Sequence, residues 1–335
     1  MIVPENIRPK PVGIKDVAAA AQVSLATVSL VLNGKGNFPE KTQEHVRKVA
    51  SELGYVPNRK ASMLRSGNSK TLGFILGESH DPEWAQQWAE MTGRLLFESV
   101  QVAGLRNYAI IAIPADSDLI RSFGIDGLIL SDSRNEDPDL DAATKLGIPI
   151  LTNERPHDPR VSVHLDSGYR GMTLAAFDAL VASGAHKPGL LTEPLGLASN
   201  ELPEHTYISW CEQRGLTPVV ARGKHDRSDI EEQVTFLLNQ GCDAIYSFYE
   251  EGETVLNIVR SAGKSVPEDV QLIAASAYND DRNKELGISS TVYHPEDMIV
   301  GTINALIDVV EGIAEAPVTV TSRWEMNLYS STRMH

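Results

Sequence analysis

The sequence predicts a chain in two parts: a small all-α headpiece of helix-turn-helix type, then a large α/β core of two doubly wound parallel-sheet lobes. Three observations carry this. Apolar residues recur at helical spacing from Ile14 to Leu53. From Thr71 onward the pattern changes to short apolar runs that alternate with helical segments. The charge divides at the same place, with 11 Lys and Arg against 5 Asp and Glu in residues 1–70, and 19 against 40 in residues 71–335. A basic head on an acidic body points to a polyanionic partner for the head alone. An ordinary surface of uneven charge fits the same counts.

The 335 residues, 42% of them hydrophobic, suffice for more than one core and exclude a disordered chain. No apolar run approaches the roughly 18 residues of a membrane span. Residues 1–12 carry three prolines and three charged side chains, which reads as a flexible arm and not as a signal peptide. Cys211 and Cys242 are the only cysteines. They exclude a disulfide scaffold and a four-cysteine zinc site, and favour a reducing, cytoplasmic setting.

The headpiece elements follow in order. Ile14, Val17, Ala18 and Ala21 fall on one helical face. Gln22-Val23-Ser24 breaks that pattern, and Ser24 can cap a second helix by accepting from its free amides. Val28, Val31 and Leu32 form the inward stripe of this second helix; Ala26, Ser29, Leu30 and Asn33 form the outward one. Gly34-Lys35-Gly36 ends it. A third helix starts near Pro39-Glu40, carries Val46, Val49, Ala50 and Leu53, and stops at Gly54. Three short helices with a tight turn between the first two make a helix-turn-helix domain, whose second helix enters the DNA major groove. A three-helix bundle with no nucleic-acid role has the same pattern.

The run Ile14-Lys15-Asp16-Val17-Ala18, then Val23 to Ser29, then Val31-Leu32-Asn33-Gly34, closely resembles the headpiece of lactose-repressor-like (LacI/GalR) transcriptional regulators. So do Leu53-Gly54-Tyr55-Val56-Pro57-Asn58, Ala61 and Leu64-Arg65-Ser66-Gly67, so that the resemblance covers nearly all of residues 13–67. It implies a hinge helix over Arg59 to Ser66 that folds when two subunits meet on DNA, with Leu64 wedging into the minor groove. The physics agrees: a helix of about eight residues is marginal alone, and a wedge unstacks bases in exchange for a bend. Docking of Met63 and Leu64 on the protein core is the alternative. Taken together, Ser24, Leu25, Ala26, Thr27, Ser29, Leu30, Asn33, Tyr55, Asn58, Leu64 and Arg65 are the expected DNA-binding residues.

One departure matters. The family usually has an arginine where this chain has Leu30. Arginine to guanine is the commonest specific base contact, so this reading face is short of donors. The expected operator is read partly through thymine methyls and DNA shape, and differs from the family's common half-site.

In the body, apolar runs at 71–76, 108–113, 127–130, 148–151, 189–191, 218–221, 244–248 and 271–275 read as strands. Helical patterns at 84–103, 138–146, 169–183, 228–240, 251–262 and 296–313 lie between most of them. Such alternation means parallel sheets covered on both faces. The pattern resembles the effector-binding core of the same family, a periplasmic-binding-protein-like fold, best at Ala262 to Val270. That resemblance implies three crossovers, expected near 184, 293 and 321. The expected organisation is therefore an arm (1–12), a helix-turn-helix domain (13–58), a hinge and linker (59–70) and a core (71–335). Within the core, lobe 1 covers about 71–184 and 293–320, and lobe 2 about 185–292 and 321–335. The stretch between Ile113 and Gly127 is too short for the family's full helix, which trims the first lobe.

Ligands of doubly wound sheets bind beyond the carboxyl ends of the strands, here between two lobes. Trp84, which aligns with an effector-stacking aromatic of relatives, His164, Tyr249, Glu250 and Tyr278 are the expected effector-binding residues; a core role for Trp84 fits equally. Several ligand positions of the family have changed: Ala277-Tyr278 replaces an aspartate, Pro203 an arginine, and Tyr249-Glu250 an Asn-Asp pair. Sugars need charged and amide groups in pairs. Tyr249, Tyr278 and Trp84 suit instead a flat or apolar ligand, so the effector is not expected to be an ordinary sugar. A cleft that has lost effector binding is the alternative.

No nucleophile elbow, phosphate-binding loop or zinc-binding His-Glu helix occurs. His157-Asp158 lies in a Pro-flanked loop, His164 and Asp166 are two ligands at most, and Glu250-Glu251-x-Glu253 fits a helix N-terminus. The expectation is thus no enzyme, no cofactor and no metal. The sequence reads as a cytoplasmic repressor, nucleoid-associated when DNA-bound, that binds a pseudo-palindromic double-stranded operator as a homodimer under a small-molecule effector, with no membrane partner. The rivals are a solute-sensing protein whose headpiece is an interaction module, and a ligand-independent DNA-binding protein.

Overall fold

A computed structural model describes residues 12–32, 36–55, 68–77, 85–116, 118–131, 133–134, 136–155, 157–196, 198–224, 226–249, 251–277 and 279–333. The chain divides into two compact units, residues 1–69 and 70–335.

In the first unit, α1 (Ile14–Ala21), α2 (Leu25–Leu32) and α3 (Glu40–Glu52) surround one small core. Val17, Val28 and Val46, one from each helix, have no exposed surface. Fully burying a side chain of this size stabilises by about 1.5–3 kcal/mol, so these three dominate a core this small. The Gly13 amide donates to Asp16 Oδ2 (2.8 Å), which caps α1. Gln22 adopts a left-handed conformation (φ 53°) and the Val23 amide returns to the Ala18 carbonyl. The chain turns there, and α1 and α2 meet at 105°, within the range of a helix-turn-helix pair.

The second unit holds two six-stranded sheets. The first has the order β11-β5-β4-β3-β1-β2, with β1 (Thr71–Leu76), β2 (Ala109–Pro114), β3 (Gly127–Leu130), β4 (Ile150–Asn153), β5 (Val163–Asp166) and β11 (Val318–Thr321), all parallel. Helices α4 (Ala85–Leu105) and α11 (Pro295–Val310) cover one face over Leu72, Phe74, Ile129 and Val163. Helix α5 (Pro138–Lys145) covers the other, together with a single 3-10 turn at Asp118–Arg121 that buries Ile120. That turn is the only helical element among the described residues of the shortened stretch between β2 and β3.

The second sheet has the order β12-β10-β9-β8-β6-β7. Its strands are β6 (Pro188–Thr192), β7 (Val220–Arg222), β8 (Ala244–Ser247), β9 (Gln271–Ala277), β10 (Ser289–Tyr293) and the antiparallel β12 (Trp324–Asn327). Helices α6 (Tyr169–Ala182) and α7 (Ala198–Arg214) cover one face, where Phe177 stacks on Tyr207 at 4.3 Å. Helices α8 (Ile230–Asn239) and α9 (Gly252–Ser261) cover the other, and the short α10 (Asp281–Leu286) leads into β10.

The chain leaves the first sheet after Asp166, and α6 already packs on the second sheet. The first crossing therefore lies at 167–168 and not near 184, because the apolar stripe of α6 (Ala176, Phe177, Leu180) faces Tyr207 and Trp210. The chain returns at His294 and crosses again at 322–323. Strands β5, β10, β11 and β12 and helices α7 and α10 have no counterpart among the apolar runs and helical patterns read from the sequence, although a strand end at His164 and Asp166 and a helix start at Pro203 were expected. No single helix among the described residues is long and apolar enough to cross a membrane.

Candidate nucleic-acid interface and effector cleft

The outward side of α2 is built as expected from its spacing. The Ser24 hydroxyl accepts from the Thr27 amide (3.0 Å) and lies 2.8 Å from the Thr27 hydroxyl. Ser24 thus caps the helix, and both hydroxyls sit at its N-terminal end. Leu25 and Leu30 are 45% and 40% exposed, and with Ile14, Lys15, Ala26 and Ser29 they line an open groove of about 450 Å³. Lys15 is the only cation among these lining residues. An exposed leucine pair around a groove offers apolar contact to a base methyl and no bidentate donor. Tyr55 lies partly buried against the headpiece core. Asn33, Asn58, Leu64 and Arg65, and with them the expected hinge helix, lie outside the described residues.

In the larger unit the expected effector residues fare differently. Trp84, Glu250 and Tyr278 lie outside the described residues. Tyr249 has no exposed surface: its ring packs with Ala221, Ile230 and Val255, and its hydroxyl donates to the Lys224 carbonyl. It is a core residue, and burial holds its phenol well above the ordinary value. The expectation of a stacking role for Tyr249 is therefore corrected. His164 sits inside β5, two residues short of the strand end, 7% exposed and 3.2 Å from the Thr319 hydroxyl on the edge strand β11. Burial lowers its pKa, with Asp166 pulling the other way. Its ring is packed into the sheet and not presented at the carboxyl end.

The structure brings together other groups at the strand ends. Tyr169, the first residue of α6, meets Phe248 just after β8 (centroids 5.0 Å, planes 83°) and Tyr293 at the end of β10 (5.5 Å, 87°). All three rings are only partly buried. Thr192, the last residue of β6, is fully buried, and its hydroxyl has no hydrogen-bond partner among the described residues. Arg155 donates to the hydroxyl and the carbonyl of Ser133, whose carbonyl also accepts from the Ala198 amide (3.3 Å). That contact ties the loop after β3 in the first sheet to the start of α7 on the second. Sequence reasoning missed Tyr293 because β10 was not recognised. It passed over Tyr169 because a Tyr opening a helix carries no signal of its own.

Among the described residues no group of three or more His, Cys, Asp or Glu side chains could hold a metal ion. Both cysteines are buried free thiols, and burial raises Cys242 to about 11.

Residues 13–58 match the model of the bacterial regulatory proteins of the lacI family, and residues 177–325 match a periplasmic binding protein-like domain. Among similar proteins, the maltose regulon regulatory protein MalI of Escherichia coli (strain K12) is 34% identical over 153 residues, which is 44% of this chain and 43% of MalI. The chain thus spans less than half of MalI's length in that match. The regulator CelR of Thermobifida fusca is 24% identical over 90% of this chain and 93% of its own length. These relatives carry the names of regulators and not of enzymes. The CelR–cellobiose complex superposes with a TM-score of 0.63 (22% identity, 97% of this chain, 100% of that one). The lac repressor dimer bound to operator and the anti-inducer ONPF gives 0.70 (19% identity, 96% and 100%). At these identities the likeness establishes the fold.

Proposed function

We propose that this chain is a transcriptional repressor of the lacI family that binds a pseudo-palindromic DNA operator as a homodimer and is controlled by a small molecule held between the two sheets of its core. The observation that carries the reading is the outward face of α2. Its N-terminal end is capped by Ser24, and its exposed residues line an open groove next to Lys15. On a helix-turn-helix unit this is the face that meets base edges, and the proposed contacts are Ser24, Leu25, Ala26, Thr27, Ser29 and Leu30. Asn33, Tyr55, Asn58, Leu64 and Arg65 are proposed to complete the contact. Two such faces about one helical turn apart, roughly 34 Å, read the two half-sites of a symmetric operator. An effector favouring one arrangement of the core over another would shift the population that holds DNA tightly.

The test is selection of binding fragments from the source genome with the full chain, followed by footprinting. The expected result is a protected site with two-fold symmetry and a distorted centre, with affinity that falls steeply with salt. Diffuse binding without symmetry, or affinity indifferent to salt, would refute the operator reading and favour a sensing module.

A further inference from the structure

Recognition of a sugar needs polar side chains that remain available to several neighbouring hydroxyls. At the described strand ends several of these side chains already serve the protein. Glu154 Oε1 accepts from the Ser167 amide and Asp166 Oδ1 from the Gly168 amide, both at 2.9 Å. The Ser276 hydroxyl donates to the Asn279 carbonyl, and Arg155 is engaged by Ser133. What these ends do present is aromatic. Tyr169 stands nearly perpendicular to both Phe248 and Tyr293, so three partly exposed rings from three elements form the corner of a box. Perpendicular rings set their positive edges against negative faces, and a further flat ring added to such a corner meets the same complementary geometry.

A second observation points to a ligand at the same place. The register pairs Leu191 with Ser247, and the Phe248 amide donates to the Leu191 carbonyl (2.8 Å), which sets Phe248, just past the end of β8, next to Thr192. Leu190 and Tyr246, two residues earlier on each strand, share one core, so Thr192 and Phe248 face the same side of the sheet. The Thr192 hydroxyl is fully buried without a hydrogen-bond partner among the described residues, a state that buried polar groups rarely keep.

We propose that the effector is a neutral planar aromatic or heteroaromatic compound. Its ring packs against Tyr169, Phe248 and Tyr293, and one hydrogen-bonding substituent reaches Thr192. This rests on the reading that the core binds an effector, and it names the chemical class.

Benzamide, cyclohexanecarboxamide and cellobiose serve as probes, titrated into the full-length protein by calorimetry and ligand-observed NMR. Benzamide and cyclohexanecarboxamide share the amide and differ in ring planarity. Benzamide is expected to bind about tenfold more tightly than its saturated counterpart, and Phe248→Leu or Tyr293→Leu to remove that difference. Thr192→Val is expected to weaken both amides alike. Tyr293→Leu, at a strand end, gives a reading even where Phe248→Leu disturbs folding. Equal binding of the two amides, no benzamide binding, or cellobiose binding that survives Phe248→Leu would each overturn the proposal. The operator footprint of the same preparation separates the two failures. A symmetric footprint with cellobiose binding leaves the repressor reading standing and removes the ring class. Benzamide binding without a symmetric footprint does the reverse.

Discussion

Replacing Leu30 by arginine tests the proposed DNA-reading face directly. Leu30 is 40% exposed on the outward side of α2, away from Val28 and Val31, so the substitution leaves the headpiece core intact. Its effect on folding should stay within about 0.5 kcal/mol. If position 30 reaches base edges, a guanidinium there can bond O6 and N7 of guanine, and a good bidentate pair is worth about 1–3 kcal/mol of discrimination. That converts to about 5- to 150-fold in preference at one base pair of each half-site. The assay is parallel selection of both proteins from a randomised duplex library, with salt titrations of the winning sites. The expected outcome is a guanine gained at one position of each half-site, with little change elsewhere. A guanidinium that only met phosphate would tighten all sequences together and steepen the salt slope by about 0.9 per contact. An unchanged half-site profile with such a uniform gain would refute the placement of Leu30 on base edges.

Other consequences can be measured on the isolated protein. His164 is buried with its pKa below the ordinary 6.5. Its contribution is therefore fully present above that value and is lost as pH falls through the folded-state pKa. Denaturant titrations across this range should show a slope that His164→Asn flattens, and an unaltered slope would assign the titration elsewhere. Phe177 is fully buried between Tyr207, Trp210 and Tyr246, so Phe177→Ala should cost about 3–5 kcal/mol by denaturant unfolding; a loss below 1 kcal/mol (roughly, one methylene) would mean that the site collapses around the deletion. Cys211 and Cys242 are buried thiols with raised pKa values, so a thiol reagent at pH 8 should label neither until the chain is unfolded. Rapid labelling of the native protein would reveal local opening around α7 or the start of β8.

How much of this was legible in the sequence depended on where each element hides its polar atoms. The headpiece helices show because one apolar stripe repeats at helical spacing within a few turns. Strands β1, β3 and β8 show because both of their faces are buried and the run is continuous. Strand β10 hid because its buried residues include Ser289, Ser290 and Thr291. Their hydroxyls are satisfied by Tyr329 and Thr332, by Asp280 and by Tyr246 respectively, contacts no local pattern reveals. Helix α7 hid for a similar reason: its buried positions include Asn200, Pro203 and Glu204, and the Glu204 carboxylate is held by Arg222. The site failed by one residue. Sequence marks the end of β8 but not the face on which each side chain emerges, and successive residues point to opposite sides. Phe248 reaches the aromatic cluster, while its neighbour Tyr249 turns into the core against α8 and α9.

The same three rings bear on how a ligand could move the core. Both sheets connect through only the segments at 167–168, 294 and 322–323, and these are fastened to one another. The Ser322 amide donates to the Asp166 carbonyl (2.8 Å), and its hydroxyl to the His294 carbonyl (3.4 Å). Gly168 has a left-handed φ of 81° and lies so close under the Trp324 ring that any Cβ would overlap it. Tyr169 and Tyr293 adjoin the first two crossings directly. A ring bound against them would press on the segments that set the angle between the sheets, without need of a relay through either core. Packed crossings of this kind deform little and favour discrete arrangements. An effector of modest size can then select between arrangements, provided that its contacts with the two tyrosines differ between them.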